Sequence, residues 1–414
     1  MKVLITTLGR SHFIQVASSL IARGVDAYLF QGWVVRNASS SWLVRIAMKV
    51  LGRGESFVFG MSRRVTPELE GRNISDFWAE FVQAVCERTI GRINSWWWNW
   101  SVKLGFRIHG WRMARLIRVG DYDIIHVKSG LGRGGCIRRA KEKGVKVLVD
   151  HSAGAPRFIV ETVANKEWGK WSYWSIVQDD CDEADLLLVD CDWVKETFLM
   201  YGYPEEKIRV VYMGLDSRFN GLKHWEGDLS GVGHSAEKPL RIVFSGPFAA
   251  HKGNHDFLEA IEKLMMTGLH FEVDVLGSVQ IGNEDRCRFK NAIEKIRFHG
   301  HLPQDKMCEV MKQSHVYLFP SLSEGCAKSA FEAMSMGLCV VASKQTGLPM
   351  EDGVDGHLIE IHNSDSIVKK IQWLVVDPAK ISATGIAGTE TMKKYTWEFY
   401  AENVKKVYAE LLLK

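Results

Sequence analysis

One pattern constrains this chain more than any other, and it occurs twice: a short apolar strand, a glycine-bearing loop, an amphipathic helix and a further strand. The first copy opens at Val3–Thr6, with Gly9 in its loop, a helix over about Ser11–Arg23 and a strand at Ala27–Phe30. The second opens at Leu240–Ser245, runs through a loop from Gly246 to Gly253 and continues as a helix to about Met266. Apolar strands alternating with helices make parallel, doubly wound sheets covered on both faces. The rhythm returns at Asp123–Val127, Lys146–Asp150, Leu186–Val189 and Ile208–Tyr212, then at Phe271–Leu276, Val316–Phe319 and Leu338–Ala342. A chain of 414 residues exceeds one ordinary core. The expected division is an N-terminal Rossmann-like domain over 1–219, a glycine-rich linker over 220–239 and a C-terminal Rossmann-like domain over 240–395. A closing helix over 396–414 is expected to pack on the N-domain. Ligands of such sheets bind beyond the C-terminal strand ends, so the cleft between the domains is the expected site.

Composition excludes several alternatives. The eight cysteines are scattered without a CxxC pair, which argues against a zinc site or a disulfide framework. No apolar run approaches the roughly 18 residues of a membrane span. The opening MKVLITTLGRSHF lacks the apolar core of a signal peptide. A cytoplasmic protein is expected. The net charge of +4 conceals an imbalance: residues 1–150 hold 24 Lys and Arg against 11 Asp and Glu, the remainder 29 against 38. The first part has reason to face something anionic, and the second does not.

Chemistry concentrates in FPSLSEGCAKSAFEAMSMGLCVVAS, residues 319–343. A strand ends near Pro320, the loop carries Glu324 followed by Gly325, and Lys328 begins a helix that holds Glu332. Amides at a helix start attract phosphate, and glycine admits a ligand to the main chain. Carboxylates beside such a site can each accept hydrogen bonds from sugar or ribose hydroxyls. Read alone, Glu332 is equally a helix-favouring acid.

That stretch resembles the donor-binding signature of the retaining glycosyltransferases of family four, which have the two-domain GT-B fold. Further segments resemble the family in order: DYDIIHV (121–127), ADLLLVDCDWVKETFLMYGYPEEKIRVVYMGLD (184–216), LRIVFSGPFAAHKG (240–253), FEVDVLG (271–277), IRFHGHLP (296–303) and VYLFPSLSEG (316–325). The resemblance implies an activated-sugar donor, transfer with retention of configuration, and neither metal nor other cofactor. Carried over by residue, Glu324 contacts the donor sugar, Glu332 the ribose, and Lys252 neutralises the diphosphate. Gly246, Gly277, Gly325, Cys326, Ala327 and Lys328 complete the donor-binding group, and Gly9 brings the first loop to donor or acceptor. His151, ending a strand, resembles the family's histidine near the transfer centre and is expected to face the cleft, with His126 as its rival. With Lys252 and Glu324 it makes up the expected catalytic set.

Two departures stand out. The family's loop arginine is replaced by Pro247, which has neither charge nor N–H; part of the phosphate clamp is expected either to be missing or to be supplied by His251 or Lys328. The usual Gly-Gly-x-Pro-Glu run reads TGLPMEDG (346–353), shortened by about two residues. Asp190-Cys191-Asp192 mimics a metal-binding DxD, but its place before a helix makes Asp192 an N-cap.

The first sheet is interrupted over about 32–120 by a basic, Trp-rich helical insert. From Arg88 to Gly120 there are seven cations (Arg88, Arg92, Lys103, Arg107, Arg112, Arg115, Arg118) and no acid. The same span holds Trp96, Trp97, Trp98, Trp100 and Trp111, and Trp42–Leu51 forms an apolar stripe with Arg45 and Lys49 on its other face. Tryptophan favours the headgroup zone and basic residues the anionic leaflet. The insert is therefore expected either to be a peripheral surface that meets an anionic membrane and presents the enzyme to a lipid-linked or glycan acceptor, or to be a packed helical cap. No nucleic-acid partner is expected. The implied function is transfer of a hexose-type sugar from a UDP- or GDP-sugar to a glycan or lipid-linked glycan, in bacterial polysaccharide or lipopolysaccharide assembly. A nucleotide-sugar epimerase of the same fold and a non-catalytic sugar-nucleotide-binding scaffold are the alternatives.

Overall fold

The computed structural model describes residues 1–8, 12–34, 64–89, 95–164, 166–167, 169, 173–223, 225 and 229–413. Gly9, Arg45, Lys49 and Arg92 lie outside the described residues, as do the Trp42–Leu51 stripe and the side chains of Arg88 and Trp96. Two parallel sheets form. The first contains β1 (Lys2–Thr6), β2 (Asp26–Gln31), β3 (Asn73–Ser75), β4 (Ile124–Lys128), β5 (Lys146–His151), β6 (Leu186–Val189) and β7 (Ile208–Val210) in the order 3-2-1-4-5-6-7. The second contains β8 (Leu240–Ser245), β9 (Phe271–Leu276), β10 (Ile296–Gly300), β11 (Val316–Phe319), β12 (Cys339–Ser343) and β13 (His357–Ile359) in the order 10-9-8-11-12-13.

The central strands are the apolar runs read from the sequence, because strands covered on both faces must be apolar throughout. Their cores confirm this: Val3, Leu4, Ile5, Leu148, Leu187, Ile242, Val243 and Val341 are all fully buried. The edges β3, β10 and β13 carry no such run. One side of β10 faces water, and β3 and β13 are three residues long.

The first sheet is covered differently on its two faces. On one, the insert helix Ser95–Val119 contributes Met113 and Ile117, and the helix Tyr173–Glu183 contributes Ile176 and Val177. On the other, the helix Phe13–Ala22 packs beside the last helix, Trp397–Leu413, which buries Tyr400, Val404, Val407, Tyr408 and Leu411. The Tyr408 hydroxyl bonds His126 Nδ1 at 2.7 Å. The chain thus ends on the domain where it began. Leu215, Phe219 and Val232 belong to the C-terminal core. The C-terminal domain's core therefore takes in residues before 220, and Val232 of the expected linker packs in it.

Candidate functional site at the domain cleft

Three loops at the C-terminal ends of β8, β11 and β12 are laced together. Leu322 N–H donates to the carbonyl of His251, and Ser343 Oγ donates to that of Ser321. Glu324 N–H donates to Gln345, and Ala327 N–H to Thr346. Gly253 makes this possible: its φ is 73°, and a Cβ there would lie 1.9 Å from the Pro320 carbonyl oxygen. Lys252 is thereby delivered to Glu324, with which it forms an ion pair, while Ser321 Oγ donates to the same carboxylate at 2.9 Å. Both partners are mostly withdrawn from water, with side chains 15% and 13% exposed. Lys328 begins the helix Lys328–Met336, and its ammonium lies 3.7 Å from Glu332 one turn on. Burial pushes the Glu332 carboxyl above its ordinary range, against the opposing pull of Lys328. Two cation–carboxylate pairs therefore stand on the β11 loop and its helix start, with Lys252 supplied from the β8 loop.

The glycines act partly otherwise than the sequence suggests. A Cβ on Gly325 would lie 2.3 Å from the carbonyl oxygen of Ser152, which belongs to the other domain. What Gly325 admits is the opposing main chain. Gly277 similarly lets its loop cross Gly246, whose carbonyl oxygen would lie 2.1 Å from an added Cβ. Cys326 and Ala327 continue the loop; burial raises the Cys326 thiol well above its usual range.

Between the domains lies a cavity of about 570 Å³. His12, Gln15, Arg64, Ser152 and Asp190 line it from one side, Arg218, Glu324, Gly325, Cys326 and Lys328 from the other. His151 does not face it as expected. Its ring is buried, and it spends Nδ1 on the Ser129 hydroxyl at 2.9 Å and Nε2 on the Gly154 carbonyl at 3.0 Å. Since a carbonyl only accepts, Nε2 carries the hydrogen and Nδ1 accepts from Ser129. Burial lowers its pKa, which keeps it neutral. The rival His126 is spent on Tyr408 and Asp150. The residue that reaches the cleft is the next one, Ser152.

Neither expected substitute for the loop arginine is unaltered. Burial, and then Lys252, depress the His251 pKa, so it brings no positive charge. Lys328 does line the cavity, and Arg218, which sequence reading missed, lines it as well. Arg64, also missed, is held by two bonds to Glu80 of 2.5 and 2.6 Å. In the Asp190-Cys191-Asp192 run, Cys191 occupies the N-cap position and Asp192 the first helical one, where it accepts a bond from Tyr212 at 2.9 Å. The expected cap is displaced by one residue because Tyr212 claims the carboxylate.

The insert has a polar anchor that no local pattern revealed. His109 bonds Thr6 Oγ1 at 2.6 Å and Asp76 at 2.7 Å, and its ring stacks on Phe30. Asp76 also caps the helix Phe77–Arg88 through Ala79 N–H and pairs with Arg112 at 3.1 Å. Arg112 is thus committed internally rather than to an outer surface. Outside, Trp98, Trp100 and Trp111 are exposed, with Trp78 of the preceding helix. The guanidinium of Arg115 lies over the Trp111 ring at 4.2 Å, and Arg107 is exposed beside them. Trp97 packs edge-on against Trp100, and Lys103 is partly buried, which lowers its pKa. No described helix is long and apolar enough to cross a membrane.

Comparison with known proteins agrees with this architecture. The family described as Glycosyltransferase Family 4 matches residues 74–219, and that described as Glycosyl transferases group 1 matches residues 239–377. A sulfoquinovosyl transferase of Arabidopsis thaliana is 27% identical over 290 residues, covering 66% of this chain and 54% of that one. A putative colanic acid biosynthesis glycosyltransferase of Salmonella typhimurium is 26% identical over 245 residues, 55% of this chain and 56% of the relative. The chain spans about half the length of the curated relatives it matches. A lipopolysaccharide outer core galactosyltransferase has the same fold, with TM-score 0.63, 13% identity and coverage of 99% of this chain and 100% of that one. So does an Anabaena protein solved with UDP and glucose, with TM-score 0.60, 13% identity and the same coverage.

Proposed function

Since this chain belongs to the family-four, group 1 glycosyltransferases of GT-B fold, we propose that it moves a hexose-type sugar from a UDP- or GDP-sugar to a glycan or lipid-linked glycan, with retention of configuration. The observation that carries this reading is a pair of cation–carboxylate contacts: Lys252 from the β8 loop on Glu324 of the β11 loop, and Lys328 on Glu332 at the helix start that follows. Breaking the sugar–phosphate bond leaves an extra negative charge on the nucleoside diphosphate, and stabilising that charge is the main catalytic demand. On donor binding Lys252 exchanges Glu324 for phosphate oxygens, which frees the Glu324 carboxylate to accept sugar hydroxyls. Glu332 accepts from the ribose, and Lys328 adds charge where the family's arginine is missing. The acceptor oxygen bonds to the anomeric carbon on the face that the phosphate leaves, and the acceptor proton passes to a donor phosphate oxygen. No metal takes part in this scheme.

The names of relatives in colanic acid and lipopolysaccharide synthesis favour a cell-surface polysaccharide as product. The exposed Trp98, Trp100, Trp111, Arg107 and Arg115 favour work at the anionic cytoplasmic face of a membrane. A thermal-shift panel of UDP-, GDP-, ADP- and TDP-sugars tests the donor, since ligand binding raises the melting temperature. NMR of the anomeric proton of the product tests retention. A protein that none of these donors stabilises, or a product of inverted configuration, would refute the proposal.

A further inference from the structure

We propose that His12, Asp150 and Asp190 form a hydroxyl-binding subsite on the N-domain floor of the cleft, where a polyhydroxylated acceptor presents its attacking group. This rests on the reading above, which leaves the acceptor side unassigned.

The three residues come from separate parts of the sheet. Asp150 lies in β5, Asp190 directly follows β6, and His12 precedes the helix after β1. A ring nitrogen of His12 and carboxylate oxygens of Asp150 and Asp190 all lie within 4.8 Å of one another. The Nε2 of His12 is buried without a hydrogen-bond partner, and the ring caps no helix end. A buried polar atom left unpaired is costly, so its persistence at the wall of a cavity points to a partner brought by a ligand. His12 and Asp190 both line that cavity, facing Glu324 and Lys328.

The carboxyls divide their labour. Burial opposes ionisation of Asp150, yet the His126 hydrogen bond and the neighbouring histidines hold it below the ordinary carboxylate range. Burial, reinforced by Asp150, pushes Asp190 well above that range. Two acids so placed share one proton. One then accepts and the other donates, while burial keeps His12 neutral, with a lone pair on one nitrogen. A hydroxyl both donates and accepts, so a polyol matches the set, and an apolar group does not. A divalent cation fits less well, because the half-buried Lys128, whose charge is felt by both His12 and Asp190, opposes it.

Saturation-transfer NMR in the presence of UDP, with the methyl glycosides of glucose, galactose and mannose as probes, tests the subsite on the full chain. At least one probe should bind the wild type. His12→Ala should weaken it about tenfold or more, and His12→Gln, which keeps a polar arm, should restore part. Asp190→Asn, still a donor, should bind within about threefold, whereas Asp190→Leu should lose binding. Melting temperatures confirm that each variant folds, and the donor thermal shift should persist in all four. Three results overturn the subsite: no probe binding the wild type, loss in Glu324→Gln but not in His12→Ala, or transfer abolished by EDTA and restored by Mn²⁺. Absence of any donor shift in the wild type would instead sink the transferase reading itself.

Discussion

The two ends of the cleft are held by different means. On the C-terminal side, Lys252 and Glu324 sit on two loops, and Lys328 and Glu332 on the helix that follows, all laced by main-chain bonds and seated on one apolar core. On the N-terminal side, the insert is fixed to β1 by a buried polar chain, Thr6–His109–Asp76–Arg112. The first arrangement leaves side chains free to meet a ligand. The second consumes them in holding the structure. A charged residue therefore announces function only when the scaffold does not need it.

The largest effects expected are at the first. Lys252→Ala and Glu324→Gln should each lower kcat by about 10²- to 10³-fold, with melting temperature little changed. Near-normal rates in both would erase the contrast. Gly325→Ala should come next, because its Cβ cannot coexist with the Ser152 carbonyl 2.3 Å away and both neighbours are main chain. The domains must part, and misalignment of that order costs roughly tenfold to a hundredfold in rate. Scattering should show a larger radius of gyration; an unchanged radius with full activity would contradict the closed geometry.

How much of this the sequence could disclose follows from the same contrast. The central strands were readable because burial on both faces demands unbroken apolar runs, and the Glu324–Glu332 loop because its residues are contiguous. His109 was not readable, since Thr6, Asp76 and Phe30 are each more than 30 positions away. His151 carried a family resemblance yet turns to Ser129 and Gly154, partners that no spacing predicts. Arg218 escaped notice because it falls within the expected N-domain, whereas its neighbours Leu215 and Phe219 pack in the C-terminal core. The edge strands β3, β10 and β13 escaped because they share their pattern with loops, whereas the edge strand β7 was readable at Ile208–Tyr212.

Stability sharpens the comparison further. Asp76→Ala strips the insert of its helix cap and leaves His109 Nδ1 unpaired in the interior, with only the Nε2 bond to Thr6 remaining. Together these should cost about 2–3 kcal/mol by denaturant titration, with altered tryptophan near-UV signals. Acid should weaken both halves, since burial also lowers the pKa of His12, His109 and His151 in the N-domain, and in the C-terminal half two histidines carry the effect. Burial depresses the pKa of His315 and of His357 to about 4. From pH 6.5 down to about 4 the unfolded chain therefore binds protons that the native one refuses, and stability falls. At pH 5 each contributes about 2 kcal/mol of loss relative to pH 7. His315→Gln should flatten that slope, and an unaltered slope would deny the group its role.

The smallest effect bears on whether the insert does more than cap a sheet. Its outer face pairs exposed tryptophans with arginines that serve no internal bond network of the Asp76 kind; Arg115 lies over Trp111. A basic residue near an anionic leaflet adds about 1 kcal/mol, a change of roughly fivefold in partitioning. Arg107→Ala and Arg115→Ala should each reduce cosedimentation with phosphatidylserine vesicles by that factor, and Arg112→Ala should act mainly on folding. High salt should release the wild type, because exposed charges are screened within about 10 Å at 0.1 M. Equal losses for all three arginines would mean that the outer and inner cations are not distinct. No binding by the wild type in low salt would leave the tryptophans as the outside of a structural cap.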